Sequence, residues 1–197
     1  FKRQGAMAEY VAVPHWIAAG IPDEMPFAHA AIVETVSIGA HAVNRASPAP
    51  GQTVAVIGTG AVGLCILRAA ALRDPAELVG IDIDPFRLSL AETMGATAVV
   101  DASRTDLSDT PGRCADVTFE AVGFARTFTD AIAVTNTGGR VVAVGNLASH
   151  AAFDLQELVS RELTFTGSYA SAGEFRQCID AVAGGVIDVG PLISETL

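Results

Sequence analysis

The sequence predicts an α/β protein built on a doubly wound, six-stranded parallel sheet. Short uncharged runs rich in β-branched residues alternate with Ala- and Leu-rich stretches from Thr53 to Gly185, the pattern of parallel β-α-β units with right-handed crossovers. A triplet of glycines follows the first run, where a doubly wound sheet places the turn from strand to helix.

Each element has its own signal. "TVAVI" (53–57) reads as a buried strand, and "AVGLCILRAAALR" (61–73) as a helix ended by Pro75. "ELVGID" (77–82) is the second strand. "DPFRLSLAETMGA" (84–96) is a helix with Asp84 as N-cap, Pro85 at its first position and Gly95 closing it. "TAVVD" (97–101) is the third strand, and the polar stretch 102–115 is a surface connection with room for a short helix. "DVTFEAVG" (116–123) is the fourth strand, and 124–135 a helix with Ala131, Ile132 and Val134 inward. "GGRVVAVGN" (138–146) gives a turn and the fifth strand, 154–161 a helix, "LTFTGSY" (163–169) the sixth strand, and "AGEFRQCIDAVAGG" (172–185) a last helix closed by Gly184 and Gly185. The Pro-rich link "ASPAPG" (46–51) sets residues 1–46 apart from this core.

Composition narrows the function. Half of the 197 residues are hydrophobic and 17% are charged, enough for a sizeable core. With 22 acidic against 12 basic residues the formal net charge is −10, which argues against a nucleic-acid partner. It does not exclude a phosphate-bearing cofactor, since backbone N–H groups can hold one. Cys65, Cys114 and Cys178 form no CxxC pair, so free thiols in a reducing compartment are expected rather than a disulfide framework or thiolate zinc cluster. No apolar run reaches a membrane span, and no signal peptide is visible. A cytoplasmic location is therefore expected. The first residue is Phe1 and the last stretch, "PLISETL", closes no element; a piece of a longer protein is expected.

Gly58, Gly60 and Gly63 fit G-x-G-x-x-G. Gly58 allows the tight turn, Gly60 lets backbone approach a pyrophosphate, and Gly63 lets the helix pack on the sheet. The motif is weak alone, but a strand precedes it, a helix follows it, and Asp82 ends the next strand about 20 residues on, where a ribose would lie. Asp82 favours NAD, because a carboxylate accepts from ribose hydroxyls and repels a 2′-phosphate. Arg87 keeps NADP as the lesser alternative; it reads equally as an ion-pair partner of Asp82, Asp84 or Glu92 and as a group beside the adenosine. The ends of the later strands, "AVG" (121–123, with Val122), "VGN" (144–146) and "SYA" (168–170), face the same cleft.

In order along the chain, "GAMAEYVAVP" (5–14), "AAIVETVSIGAHAV" (30–43), "GQTVAVIGTGAVGL" (51–64), "GIDIDPFRLSLAETMGA" (80–96), "DVTFEAVG" (116–123), "GGRVVAVG" (138–145), "RELTFTGSY" (161–169) and "GGVIDVGPLIS" (184–194) resemble the coenzyme domain of zinc-containing medium-chain dehydrogenases/reductases, nearest the sorbitol (polyol) and threonine dehydrogenase branch. The resemblance implies a Rossmann domain at 47–185. It also implies remnants of a GroES-like catalytic domain at both ends: 1–46 with a connecting helix, and 186–197 returning to that domain. It implies Val62, Asp82, Arg87, Val144, Gly145, Asn146, Ser168, Tyr169 and Ala170 as cofactor contacts, and Glu34 as a catalytic residue on or near a zinc ion. The implied reaction is hydride transfer between a secondary alcohol and nicotinamide, in a family where homo-oligomers are common. Two departures stand out: Thr35 replaces the proline expected after Glu34, and Ala170 stands where polyol dehydrogenases often carry a substrate-binding arginine.

Catalytic zinc takes three protein ligands, and this chain offers Glu34 and at most a histidine. The fragment alone is therefore expected to be inactive. Glu34, within "AAIVETVSIGA", reads as a carboxylate in an apolar setting that needs a partner. His41 lies seven residues later, two helical turns on, and can share its face; an ordinary half-buried histidine and a supporting role beside the metal are both open. His15, His29 and His150 have no partner pattern. A non-catalytic nucleotide-binding or interaction module is the alternative from another class.

Overall fold

The computed structural model describes residues 7–107 and 115–195. After an extended start and a 3-10 turn at His15–Ile17, helix α1 spans Phe27–Ala46. Then follow β1 (Thr53–Ile57), α2 (Ala61–Ala71), β2 (Glu77–Asp82), α3 (Pro85–Thr93), β3 (Ala98–Asp101), β4 (Ala115–Glu120), α4 (Ala125–Val134), β5 (Thr135–Ala143), α5 (Leu155–Ser160), β6 (Thr164–Gly167) and α6 (Phe175–Ala183). The six strands pair in parallel in the order β3-β2-β1-β4-β5-β6. The order reverses beside β1, and that switch point opens a crevice at the carboxyl ends of β1 and β4.

Strand alternation divides the core. Val54 and Val56 of β1 turn to one face, where Leu64, Ile66 and Leu67 of α2 meet Phe119. Ala55 and Ile57 turn to the other, with Ala131, Ile132 and Val134 of α4. A third cluster joins Val33 and Val36 of α1 to Cys65 of α2 and to Cys178, Ile179 and Val182 of α6. The α1–α2 crossing is close: a Cβ on Gly39 would stand 2.6 Å from the Cys65 carbonyl carbon. Cys65 and Cys178 are free, buried thiols; burial pushes the Cys65 thiol up to about 12. Cys114 lies outside the described residues.

Several boundaries differ from the sequence reading for identifiable reasons. The helix read to Arg73 stops at Ala71, because Asp74 turns left-handed (φ 54°) and its carbonyl accepts from Gly51 N–H. The expected turn at Gly138–Gly139 is a bulge inside β5: Thr135 already pairs with Ala115, and the ladder resumes at Val117–Arg140. The fourth and sixth strands end early, at Glu120 and Gly167. Residues 121–123 and 168–170 are thereby loops at the carboxyl edge of the sheet. The cap read for the helix at 84–96 is present: Asp84 accepts from Phe86 N–H at 2.9 Å, Pro85 follows, and Gly95 takes φ 110°. Part of the 102–115 connection, residues 108–114, lies outside the described residues. Among those described, no helix is long and apolar enough to cross a membrane.

Candidate functional site

Gly58 leaves β1 with φ 89°, and a Cβ there would strike Val122. A Cβ on Gly63 would come within 1.8 Å of the Gly58 carbonyl oxygen, so α2 starts against the turn with no room for a side chain. A Cβ on Gly60 would meet nothing within 4 Å: the outer side of the turn is open. The first-turn N–H groups of α2 have no acceptor within the helix and, with the helix dipole, suit an anion there.

Two clefts flank this turn along the carboxyl edge of the sheet. One, of about 510 Å³, is lined by Gly58, Asp82, Arg87 and Val122. The other, of about 410 Å³, is lined by Glu34, Val62, Val122, Val144, Gly145, Asn146 and Ser168–Ala170. Val122 borders both, so the candidate residues between Glu34 and Ala170, apart from Gly60 and Gly63 of the turn itself, lie along one trough.

Asp82 is buried and its carboxylate is fully employed. Oδ2 accepts from Thr59 N–H (2.7 Å) and from the Thr59 hydroxyl (3.2 Å); Oδ1 accepts from the N–H groups of Ile83 (2.8 Å) and Asp84 (3.1 Å). It therefore fastens the glycine turn to the end of β2 as well as marking one end of the trough. Half-exposed Arg87 stands 3.9 Å from Asp82 Oδ2 and 3.7 Å from Asp84 Oδ2. Of the partners weighed from the sequence it pairs with these two, while also lining the cleft.

The sequence reading missed Glu120, which organises the middle of the trough. Its side chain is fully buried. Oε1 accepts from Val122 N–H (3.0 Å), Gly123 N–H (2.8 Å) and the Thr127 hydroxyl (2.6 Å), and its carbonyl accepts from Val144 and Gly145 N–H, both at 2.9 Å. Oε2 has no partner among the described residues. One residue thus holds two loops. Gly123 (φ 93°) and Gly145 let them touch: a Cβ on Gly145 would lie 2.2 Å from Gly123 N. The available signal was positional, since Glu120 ends β4 as Asp82 ends β2.

At the far end, Ser168, Tyr169 and left-handed Ala170 (φ 52°) leave β6. Tyr169 is exposed; Ser168 is buried, with Oγ unpaired among the described residues. Glu34 corrects the expectation of a carboxylate in an apolar setting. Helix geometry turns it away from buried Val33 and Val36, and it is exposed at the cleft wall. His41 does not join it: its Nδ1 lies 2.9 Å from Glu174 Oε1, which also accepts from Asn44 at 3.2 Å. Among the described residues no three His, Cys, Asp or Glu side chains gather as a metal site would require. The described residues do not by themselves fit a catalytic zinc.

Residues 61–184 match the family model described as zinc-binding dehydrogenase. The chain belongs to the zinc-binding dehydrogenase family. Sorbitol dehydrogenase of Arabidopsis thaliana is 31% identical over 97% of this family member and 55% of the relative; the chain thus spans about half the length of the curated relatives it matches. A zinc-binding dehydrogenase from Sinorhizobium meliloti 1021, solved bound to NADP, superposes with TM-score 0.90 at 31% identity, over 98% of this chain and 59% of that one. An Escherichia coli CFT073 protein named as a short chain alcohol dehydrogenase, complexed with NADH, gives TM-score 0.92 at 25% identity, over 98% and 59%.

Proposed function

We propose that this chain is the nicotinamide-dinucleotide-binding part of an alcohol or polyol dehydrogenase, which moves a hydride between a secondary alcohol and the nicotinamide ring. The observation that carries the reading is the continuous trough across the sheet switch point, with the open glycine turn at its centre, Asp82 at one end and Glu34 at the other. In this reading the first turn of α2 binds the pyrophosphate and Asp82 and Arg87 border the adenosine ribose. Val62, Val122, Val144–Asn146 and Ser168–Ala170 enclose the nicotinamide half, keeping water from the transferring carbon. The dinucleotide supplies the hydride acceptor. Glu34 is the candidate this chain offers for the metal site of the intact protein, whose other ligands come from outside these residues. The reading takes the protein as cytoplasmic, homo-oligomeric, and acting on a small alcohol.

NAD is the proposed cofactor in preference to NADP, although relatives solved with NADP and with NADH are both similar in fold. Fluorescence titrations with NADH and NADPH test this on wild type and Asp82→Ala. Wild type should bind NADH the tighter, and the variant should lose at least about tenfold in NADH affinity, because it also frees the Thr59 N–H that ties the glycine turn to the end of β2. Tighter NADPH binding by wild type would refute the role given to Asp82. The non-catalytic alternative is tested by the gene: a Cys followed by a His-Glu pair encoded ahead of Phe1 supports the enzyme, and absence of such ligands sinks it.

A further inference from the structure

A separate cleft of about 360 Å³ opens between α1 and the carboxyl ends of β5 and β6. It shares Val144, Gly145, Asn146, Ser168 and Tyr169 with the nicotinamide end of the trough, and adds His41 and Arg45. No carboxylate lines it, in a chain whose net charge is −10. Arg45 has no hydrogen bond or ion pair among the described residues, and guanidinium offers donors only. Ser168 is 8% exposed and its Oγ is unpaired. Glu174 is held as a carboxylate: burial would raise its pKa, but hydrogen bonds from His41, Ala172 N–H and Asn44 outweigh that and bring it down to about 2. It cannot donate, so the proton of the 2.9 Å contact sits on His41 Nδ1. With that proton on Nδ1, Nε2 of a neutral imidazole is an acceptor, unpaired among the described residues.

Arginine donors and a buried unpaired hydroxyl in a cleft without carboxylates suit an acceptor-rich, negatively charged group, and the His41 Nε2 acceptor suits a hydroxyl beside it. A neutral polyol could accept from Arg45 through its hydroxyl oxygens, but only an anion would also offset the guanidinium charge. We propose that the His41–Arg45–Ser168 cleft binds an oxyanion, a carboxylate or phosphate carried by the alcohol substrate. The spacing suits one molecule. Seven residues of α1 separate Glu34 from His41, a rise of about 10 Å, roughly the reach of a six-carbon chain with its terminal group. The substrate part of this inference rests on the dehydrogenase reading; the oxyanion site does not.

The test uses the intact protein that carries this chain. Calorimetric titration with inorganic phosphate and with acetate, without and with saturating NADH, should show saturable millimolar binding that persists when NADH fills the glycine turn. Arg45→Gln should weaken it at least fivefold, Arg45→Lys should retain part of it, and Arg87→Gln, in the other cleft, should not change it. Steady-state kinetics then separate the sources, using a neutral polyol, the aldonate of equal length and its terminal phosphate ester. Arg45→Gln should raise KM at least tenfold for whichever charged compound is the substrate, and leave the NADH dissociation constant unchanged. Absence of saturable anion binding in wild type, or equal binding in Arg45→Gln, overturns the site. Phosphate binding that depends on Arg45, combined with a KM for every charged substrate that does not, overturns its assignment to the substrate. Failure of NADH to bind wild type would overturn the dehydrogenase reading instead, and the titration without NADH would still decide the oxyanion site.

Discussion

Glu120→Ala should loosen the loop at Val122–Gly123 in the centre of the trough. The substitution removes the acceptor of two backbone N–H groups, Val122 at 3.0 Å and buried Gly123 at 2.8 Å. Each buried donor left unpaired costs roughly 1–3 kcal/mol. The Thr127 hydroxyl keeps a partner in the Phe124 carbonyl at 2.9 Å, so it adds little. Part of the loss is offset, because the substitution also removes a buried carboxylate whose Oε2 is unpaired. The net expectation is about 3 kcal/mol. With a urea slope of about 2 kcal/mol/M, the unfolding midpoint should fall by roughly 1.5 M. Glu120→Gln keeps an acceptor oxygen in place and should cost about 1 kcal/mol, the difference between a charge-assisted and a neutral hydrogen bond. On the proposed reading NADH affinity should fall in the same order, Ala below Gln below wild type, because the loop carrying Val122 hangs from this carboxylate. Urea unfolding followed by circular dichroism, paired with NADH fluorescence titration, reads both effects. A Glu120→Ala midpoint within about 0.3 M of wild type would refute the claim that this carboxylate holds the loop at Val122–Gly123.

Two further outcomes follow from the packing and the charges. Gly39→Ala drives a methyl group into the Cys65 backbone, 2.6 Å away. Overpacking of this kind costs about 1–3 kcal/mol, so calorimetry should show Tm lowered by roughly 3–8 °C, and an unchanged Tm would mean that the α1–α2 crossing is looser than described. Glu174 has its folded-state pKa depressed from 4.5 to about 2, so its contribution is fully present above pH ~4.5 and is lost as pH falls toward 2. Glu174→Gln should accordingly flatten the acid limb of the stability curve over that range, and a limb as steep as wild type would refute the depressed pKa.

The parallel sheet, the glycine turn and Asp82 were legible because they depend on neighbours in sequence: β-branched runs, three glycines at fixed spacing, an acid ending the next strand. Glu120 was not, because nothing local says that an acid in "TFEAVG" will be fully buried and serve N–H groups of two separate loops. Glu34 was read from its apolar neighbours, yet the helix turns it outward; which side of α1 is covered depends on α2 and α6 packing on the other.

The sequence by itself determined that strands and helices alternate, where the chain turns, and which residues have the chemistry to meet a dinucleotide. Short-range sterics and hydrophobic periodicity decide those things. Only the tertiary structure decided that Asp82 is already bound to Thr59, that Glu120 anchors the trough, and that His41 turns to Glu174 and, with Arg45 and Ser168, lines a cleft free of carboxylates. Those outcomes depend on contacts between residues tens to more than a hundred positions apart, which no local pattern encodes.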